Sequence, residues 1–214
     1  MTGTQAVFFD FDGVIVDSVD IKTSAFVALY ADCGPDITNA VRSHHLRNAG
    51  TSRYDKFRYY QRELLNAPHD EETIASLGKR FEKEVRQRVI EAAEIPGALA
   101  ALAGLRERCP LFLASATPQD ELRDIVAARR LDVYFSGVYG TPLRKREILA
   151  SEIARHDFNP AQCFMLGDAM ADHDAARANA VPFIGVVKPG LNNPFPADTE
   201  IIADLTGLVE RIQS

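Results

Sequence analysis

The sequence predicts an α/β protein: a parallel sheet flanked by helices, interrupted early by an inserted all-helical domain. Three observations carry this. Short apolar runs recur along the chain, and from residue 97 onward they alternate with helical stripes, the pattern that gives parallel pairing and right-handed crossovers. Between about 15 and 92 no convincing strand occurs, only helical spacing. Finally, 214 residues are long for one compact domain and short for two full ones.

Taken in order, the strands fall at 6–10, 111–115, 137–139, 163–166 and 183–187. Helices are expected at 97–108, where Pro96 suits a helix start, and at 118–130, where Leu122, Ile125, Val126 and Leu131 form a stripe. Further helices are expected at 143–156 (Ile148, Leu149, Ile153), at the Ala-rich 172–180 and at 205–212. The insertion reads as helices at 18–32, 36–47, 51–65 and 71–91. The first has a cap in Asp17 or Ser18, and the last has Phe81, Val85 and Val89 inside and alternating charges outside. Linkers fall at 13–17 and 92–96. The expected division is therefore a core of 1–14 and 93–214 and a cap of 15–92.

Net charge is −6, from 24 basic and 30 acidic residues, which argues against a nucleic-acid or anionic-membrane partner. It leaves room for a small phosphorylated substrate. Cys33, Cys109 and Cys163 are scattered without metal-binding spacing, as expected of thiols in a reducing compartment. No secretory leader pattern is seen, and no apolar run approaches the ~20 residues of a membrane span. The expectation is a cytoplasmic protein, monomeric or a small homo-oligomer.

The chemistry concentrates at strand ends. Phe8-Phe9-Asp10-Phe11-Asp12-Gly13 delivers two carboxylates from an apolar strand, where unpaired acids cost several kcal/mol. Ligands of open parallel sheets bind beyond the carboxyl ends of the strands. The pair therefore reads either as ligands for a hard cation such as Mg²⁺, or as a nucleophile with a proton-carrying neighbour, or as a turn cap. A second run, Leu166-Gly167-Asp168-Ala169-Met170-Ala171-Asp172, repeats the design, so Asp168 and Asp172 could share one divalent ion with the first pair. Between them, Ser115-Ala116-Thr117 ends the second strand ahead of a helix N-terminus, an arrangement suited to anions. Lys145, in Arg144-Lys145-Arg146, is the cation expected near transferring phosphoryl oxygens, with Arg144 and Arg146 turned away.

In order, D-x-D-G-V-I-V-D-S at Asp10 to Ser18, Ser115 after a strand, Lys145 before a helix and G-D-x-x-x-D at Gly167 to Asp172 resemble the haloacid dehalogenase superfamily. The resemblance is to its branch with a helical cap inserted after the first motif, the group of phosphoglycolate phosphatases and β-phosphoglucomutases. It implies a Rossmann-like core and a Mg²⁺-dependent phosphatase acting on a small phosphorylated metabolite. Asp10 would be the nucleophile forming an aspartyl-phosphate, and Asp12 the general acid and then base. Asp10, the backbone carbonyl of Asp12 and Asp168 would hold Mg²⁺, with Asp172 supporting directly or through water. Ser115, the Ala116 amide and Lys145 would bind phosphoryl oxygens.

The Asp at position 12 also disfavours carbon–halogen cleavage, since an ester oxygen needs a proton to leave. Gly50-Thr51-Ser52-Arg53 resembles the turn with which sugar phosphomutases grip a second phosphate, which keeps a β-phosphoglucomutase-type activity as the alternative and makes Arg53 a candidate substrate contact. Against it, Gly167-Asp168 stands where such mutases carry Glu-Asp. A catalytically idle binding module is disfavoured because the acids, Ser115 and Lys145 are all present. His44 and His45, being adjacent, diverge on a helix and are expected at the surface or the cap interface. Tyr54, Phe57, Tyr59 and Tyr60 read as cap core, with Tyr54 able to face the cleft.

Overall fold

The computed structural model describes residues 3–213. Six strands form one parallel sheet in the order β3-β2-β1-β4-β5-β6: β1 (Ala6–Phe9), β2 (Leu111–Pro118), β3 (Gly137–Thr141), β4 (Cys163–Gly167), β5 (Phe183–Val186) and β6 (Glu200–Ile202). The central strand β1 pairs with β2 on one side and β4 on the other. Its four residues are fully buried because helices cover both faces. Alternation then sorts the side chains. Val7 and Phe9 join the large core with Leu102, Leu105, Leu122 and Leu208, whereas Ala6 and Phe8 join the smaller one with Leu149, Met165 and Ala176.

The helices of the sheet domain are α5 (Ala98–Arg106), α6 (Gln119–Ala128), α7 (Lys145–His156), α8 (Met170–Ala178) and α9 (Leu208–Gln213). The inserted cap comprises α1 (Val19–Leu29), α2 (Pro35–Arg47), α3 (Arg53–Tyr59) and α4 (Glu71–Glu91). Phe26, Phe57, Tyr60 and Phe81 are buried against one another at its centre, with Phe26 and Phe81 rings 4.3 Å apart. α3 does not run on to residue 65 as its spacing predicts but opens into a wider π turn at Tyr60–Leu64. Strand β6 was not expected. It has three residues on the sheet's edge, two of them exposed, and so lacks an apolar run.

The two chain segments joining cap and sheet run side by side. Ile95 N–H donates to Ile15 O (2.9 Å) and Asp17 N–H to Ala93 O (2.9 Å), and Val16 bridges Glu94 in antiparallel fashion. Arg129, at the end of α6, fixes the base of α4. Its Nη1 donates to the carbonyls of Val89, Ile90 and Ala92 at 2.8, 2.7 and 2.7 Å, and its Nη2 pairs with Glu94 at 2.7 Å. Those carbonyls have no partner within a helix end, so the guanidinium satisfies them and its charge suits the negative end of the helix dipole. Among the described residues no helix is long and apolar enough to cross a membrane.

Candidate active site

Asp10 follows β1 directly, its N–H still donating to Leu166 O of β4 (2.9 Å). Its carboxylate is therefore delivered by the most rigid part of the sheet. One oxygen accepts from the Phe11 amide (2.7 Å), and the other lies 2.9 Å from Lys145 Nζ. Lys145 opens α7 and also donates to Asp172 Oδ1 at 2.5 Å. Burial works against its ammonium, but Asp10 and Asp172 more than offset that and hold its pKa above the ordinary value.

Asp10, Asp168 and Asp172 bring one carboxylate oxygen each within 4.8 Å of one another. Two glycines make this approach possible. At Gly13 (φ 77°) a Cβ would stand 2.4 Å from Asp168 Oδ2, and at Gly167 it would stand 2.1 Å from the Asp172 Cβ. Burial first, then Asp10 and Asp172, raise the Asp168 pKa well above the carboxylate range. Burial likewise lifts Asp10 to about 7 against the pull of Lys145. Buried Asp10 and Asp172 and half-buried Asp168, facing one lysine, leave a surplus of negative charge, and an all-oxygen donor set of this kind fits a hard divalent cation.

Asp12 faces the other way. Ser18 Oγ donates to its Oδ1 (2.6 Å), and Lys22 Nζ pairs with its Oδ2 (2.5 Å). Burial pushes this carboxyl up, but Lys22 and Ser18 outweigh it and leave the pKa below the ordinary value. Ser18, at the cap position of α1, makes no capping hydrogen bond there because its hydroxyl is turned to Asp12. Lys22 also donates to Thr117 Oγ1 (2.8 Å), and the Thr117 N–H donates to Ser115 Oγ (3.1 Å).

Asp10, Asp12 and Asp168 line a small inner cavity of about 70 Å³, enclosed from the cap side by Lys22, Arg53 and Lys56. Ser115 and Lys145 line a larger outer cleft of about 1310 Å³ between cap and sheet. Gly50, Thr51 and Ala116 border both spaces. The cap lies close on the sheet domain here: a Cβ on Gly50 would come within 2.9 Å of the Ala171 Cβ.

Arg53 lies at the cavity, but both terminal nitrogens of its guanidinium are engaged. They donate fork to fork to the two oxygens of Glu121 on α6, at 2.7 and 2.8 Å, both side chains being buried. Phe81 covers the guanidinium at 4.6 Å. The expected grip on a second phosphate is thus occupied by a carboxylate of the protein itself. The two histidines do diverge: His44 stacks on Tyr59 at 3.9 Å, and His45 is buried and lines the inner cavity on the cap's inner side. Its Nδ1 lies 3.0 Å from Lys56 Nζ, and burial, then Lys56, bring its pKa down to about 3. Arg144 and Arg146 are exposed, Asp174 is 57% exposed, and Tyr54 packs on Gly78 of α4 at the rim of the outer cleft.

The sequence alone does not single out Lys22, Lys56 and Glu121. For Lys22 and Lys56 the available signal was a basic residue four positions before a buried aromatic, Phe26 and Tyr60 respectively.

A sheet that gathers three carboxylates and a lysine at its strand ends beneath a helical cap defines a hydrolase architecture, and the comparisons agree. The chain belongs to the haloacid dehalogenase-like hydrolase family, which it matches over residues 7–186. It is 30% identical over 177 residues to the phosphoglycolate phosphatase of Synechococcus elongatus, covering 81% of this chain and 79% of that one, and is itself an enzyme of the phosphatase kind. In fold it is similar to a predicted phosphoglycolate phosphatase from Haemophilus somnus (TM-score 0.76, 17% identity, all of both chains). A β-phosphoglucomutase from Clostridium difficile is similar to the same degree (TM-score 0.76, 19% identity, 95% of this chain and 92% of that one).

Proposed function

We propose that the protein is a Mg²⁺-dependent phosphatase that hydrolyses a small phosphorylated metabolite through an aspartyl-phosphate on Asp10. The observation that carries this is the constellation of Asp10, Lys145, Asp168 and Asp172 opposite Asp12, where the inner cavity meets the outer cleft. Asp10, Asp168 and Asp172, with the backbone carbonyl of Asp12, would hold the cation. When bound, Mg²⁺ would neutralise charge on the phosphoryl oxygens.

The chain's own groups account for the remaining steps. A carboxylate oxygen of Asp10 forms the new bond to phosphorus as the ester oxygen departs. Asp12 gives that oxygen a proton and, once ionised, takes one from the water that breaks the acyl-phosphate bond. Inorganic phosphate and the free Asp10 carboxylate result. Ser18 and Lys22 hold Asp12 on the ionised side, the form the second half of the cycle uses. The first half needs its proton, and a substrate anion that draws Lys22 away from Asp12 favours proton uptake. Lys145, Ser115 and Ala116 steady the phosphoryl oxygens from the outer side. Water, rather than a second sugar position, is the acceptor this reading favours, because Arg53 is already paired with Glu121 and Gly167 replaces the mutases' glutamate.

The test is turnover of 4-nitrophenyl phosphate with and without Mg²⁺, followed by a panel of phosphorylated acids and sugars that starts with 2-phosphoglycolate. Asp10→Asn is expected to lower kcat by at least about 10³-fold while the melting temperature is retained. Hydrolysis surviving in that variant removes Asp10 as the nucleophile. Conversion of a hexose 1-phosphate to its 6-isomer without phosphate release overturns hydrolysis, and inertness toward the whole panel favours a binding module.

A further inference from the structure

Four basic side chains approach the reacting carboxylates, and three are neutralised by the protein. Lys145 is paired with Asp10 and Asp172, Lys22 with Asp12, and Arg53 with Glu121. Lys56 is different. It is 3% exposed on α3, lines the inner cavity, and has no carboxylate partner among the described residues. Its Nζ meets His45 Nδ1 at 3.0 Å and lies 5.5 Å from the centre of the Phe26 ring. An ammonium only donates, so His45 Nδ1 is the acceptor and the imidazole is neutral. A lysine so deeply buried is almost always paired, because removing a lone ammonium from water is costly. Burial, then Lys22, accordingly bring Lys56 down to about 7.

The cavity that Lys56 faces is small. At about 10–15 Å³ per water-sized occupant, its 70 Å³ holds about five to seven such groups, and beyond Gly50, Thr51 and Ala116 lies the outer cleft. Lys56 is contributed by the cap, opposite the wall that bears Asp10 and Asp168, which is the side on which a leaving group projects.

We propose that Lys56 is a specificity-determining residue: it binds a carboxylate on a short leaving group, so that the enzyme selects phosphate esters of small hydroxy acids over neutral esters of the same length. This rests on the phosphatase reading. A carboxylate entering the cavity supplies the counter-charge that Lys56 lacks, whereas a neutral group leaves the ammonium buried and unpaired. Arg53, held by Glu121, contributes to the cavity wall rather than to this contact.

The experiment compares kcat/KM for 2-phosphoglycolate with that for 2-hydroxyethyl phosphate, which differ in carboxylate against hydroxymethyl. Wild-type protein is expected to favour the acid by about 10- to 100-fold, the range of a buried charge-assisted contact. Lys56→Gln should bring the ratio close to one, and Lys56→Arg should retain most of it. A ratio near one in the wild type overturns the proposal without any variant. A ratio unchanged in Lys56→Gln, whatever its absolute rates, overturns it as well. If 4-nitrophenyl phosphate and both esters resist hydrolysis, the phosphatase reading itself fails. Lys56 is then judged by calorimetric titration of 2-phosphoglycolate with Mg²⁺, where tenfold weaker binding to Lys56→Gln than to wild type supports the role and equal binding overturns it.

Discussion

The sheet domain sets Asp10, Asp168 and Asp172 against Lys145, whereas the cap contributes Lys22, Arg53 and Lys56, the first two paired with Asp12 and Glu121 of the sheet domain. Acid is in surplus on one wall and base on the other. The acidic wall hangs from strand ends and backbone turns that cannot shift without breaking the sheet, which suits reacting groups needing fixed positions. The basic wall is carried on cap helices joined to the sheet by two chain segments, so its composition can change without disturbing the chemistry below. The surplus of acid fits a cation, and the surplus of base fits the anionic substrate.

Separating the walls electrostatically gives the largest effect expected from the contacts between them. Glu121→Ala leaves the Arg53 guanidinium buried without its carboxylate, a change that costs about 3–5 kcal/mol. Denaturant unfolding should register that loss, and the double variant Arg53→Met/Glu121→Leu should recover most of it. Equal stability of the single and double variants would mean that the pair is not buried in solution. Next in size is Gly13→Ala, which forces a Cβ onto Asp168 at a positive φ. A loss of about 1–3 kcal/mol is expected, together with weaker Mg²⁺ binding by calorimetry.

The basic wall also has a pH signature. His45 is held near 3 in the folded protein against 6.5 for a free histidine, mainly by burial and then by Lys56. Between those values the unfolded chain binds a proton that the folded one does not, so stability falls as pH drops from 6.5 towards 3, by at most about 1.4 kcal/mol per pH unit. His45→Gln should flatten that part of the stability curve relative to wild type, and an identical slope would place His45 in water. The smallest effect is expected at the second ion pair across the same interface. Arg86 on α4 meets Asp124 on α6 at 2.7 Å, but the two side chains are 44% and 57% exposed. Arg86→Ala should therefore cost below about 1 kcal/mol, and a loss rivalling that of Glu121→Ala would show that exposure does not separate these two pairs.

How far the sequence could be read follows the same division. Asp10, Asp12 and Asp168 were legible because acids just past the end of an apolar strand are costly to bury, and Lys145 because it stands in a basic cluster after the third strand. The parallel sheet was legible from the alternation of runs, and β6 was not, since an edge strand beginning with an exposed Glu200 has nothing to hide. On the cap the logic fails. Lys22, Lys56 and His45, and Glu121 facing the cap from α6, sit in helices that also carry surface charge, and a sequence does not say which polar residue of such a helix is turned inward. Only their partners across the fold, 11 positions away for Lys56 and His45 and 68 for Arg53 and Glu121, distinguish them.

Besides the exposed Asp124–Arg86 pair, helix α6 holds the cap through two buried side chains. Near its start Glu121 grips Arg53, and at its end Arg129 binds the last carbonyls of α4, eight residues or about 12 Å further along the axis. The two grips differ in kind. One is a buried ion pair beside the cavity, and the other gathers three backbone carbonyls and Glu94 beside the connecting segments. If Glu121 lets go while Arg129 holds, the cap turns like a lever about a fulcrum at the base of α4. A few degrees of rotation there are magnified at Gly50 and Arg53, the far end, where the inner cavity meets the outer cleft.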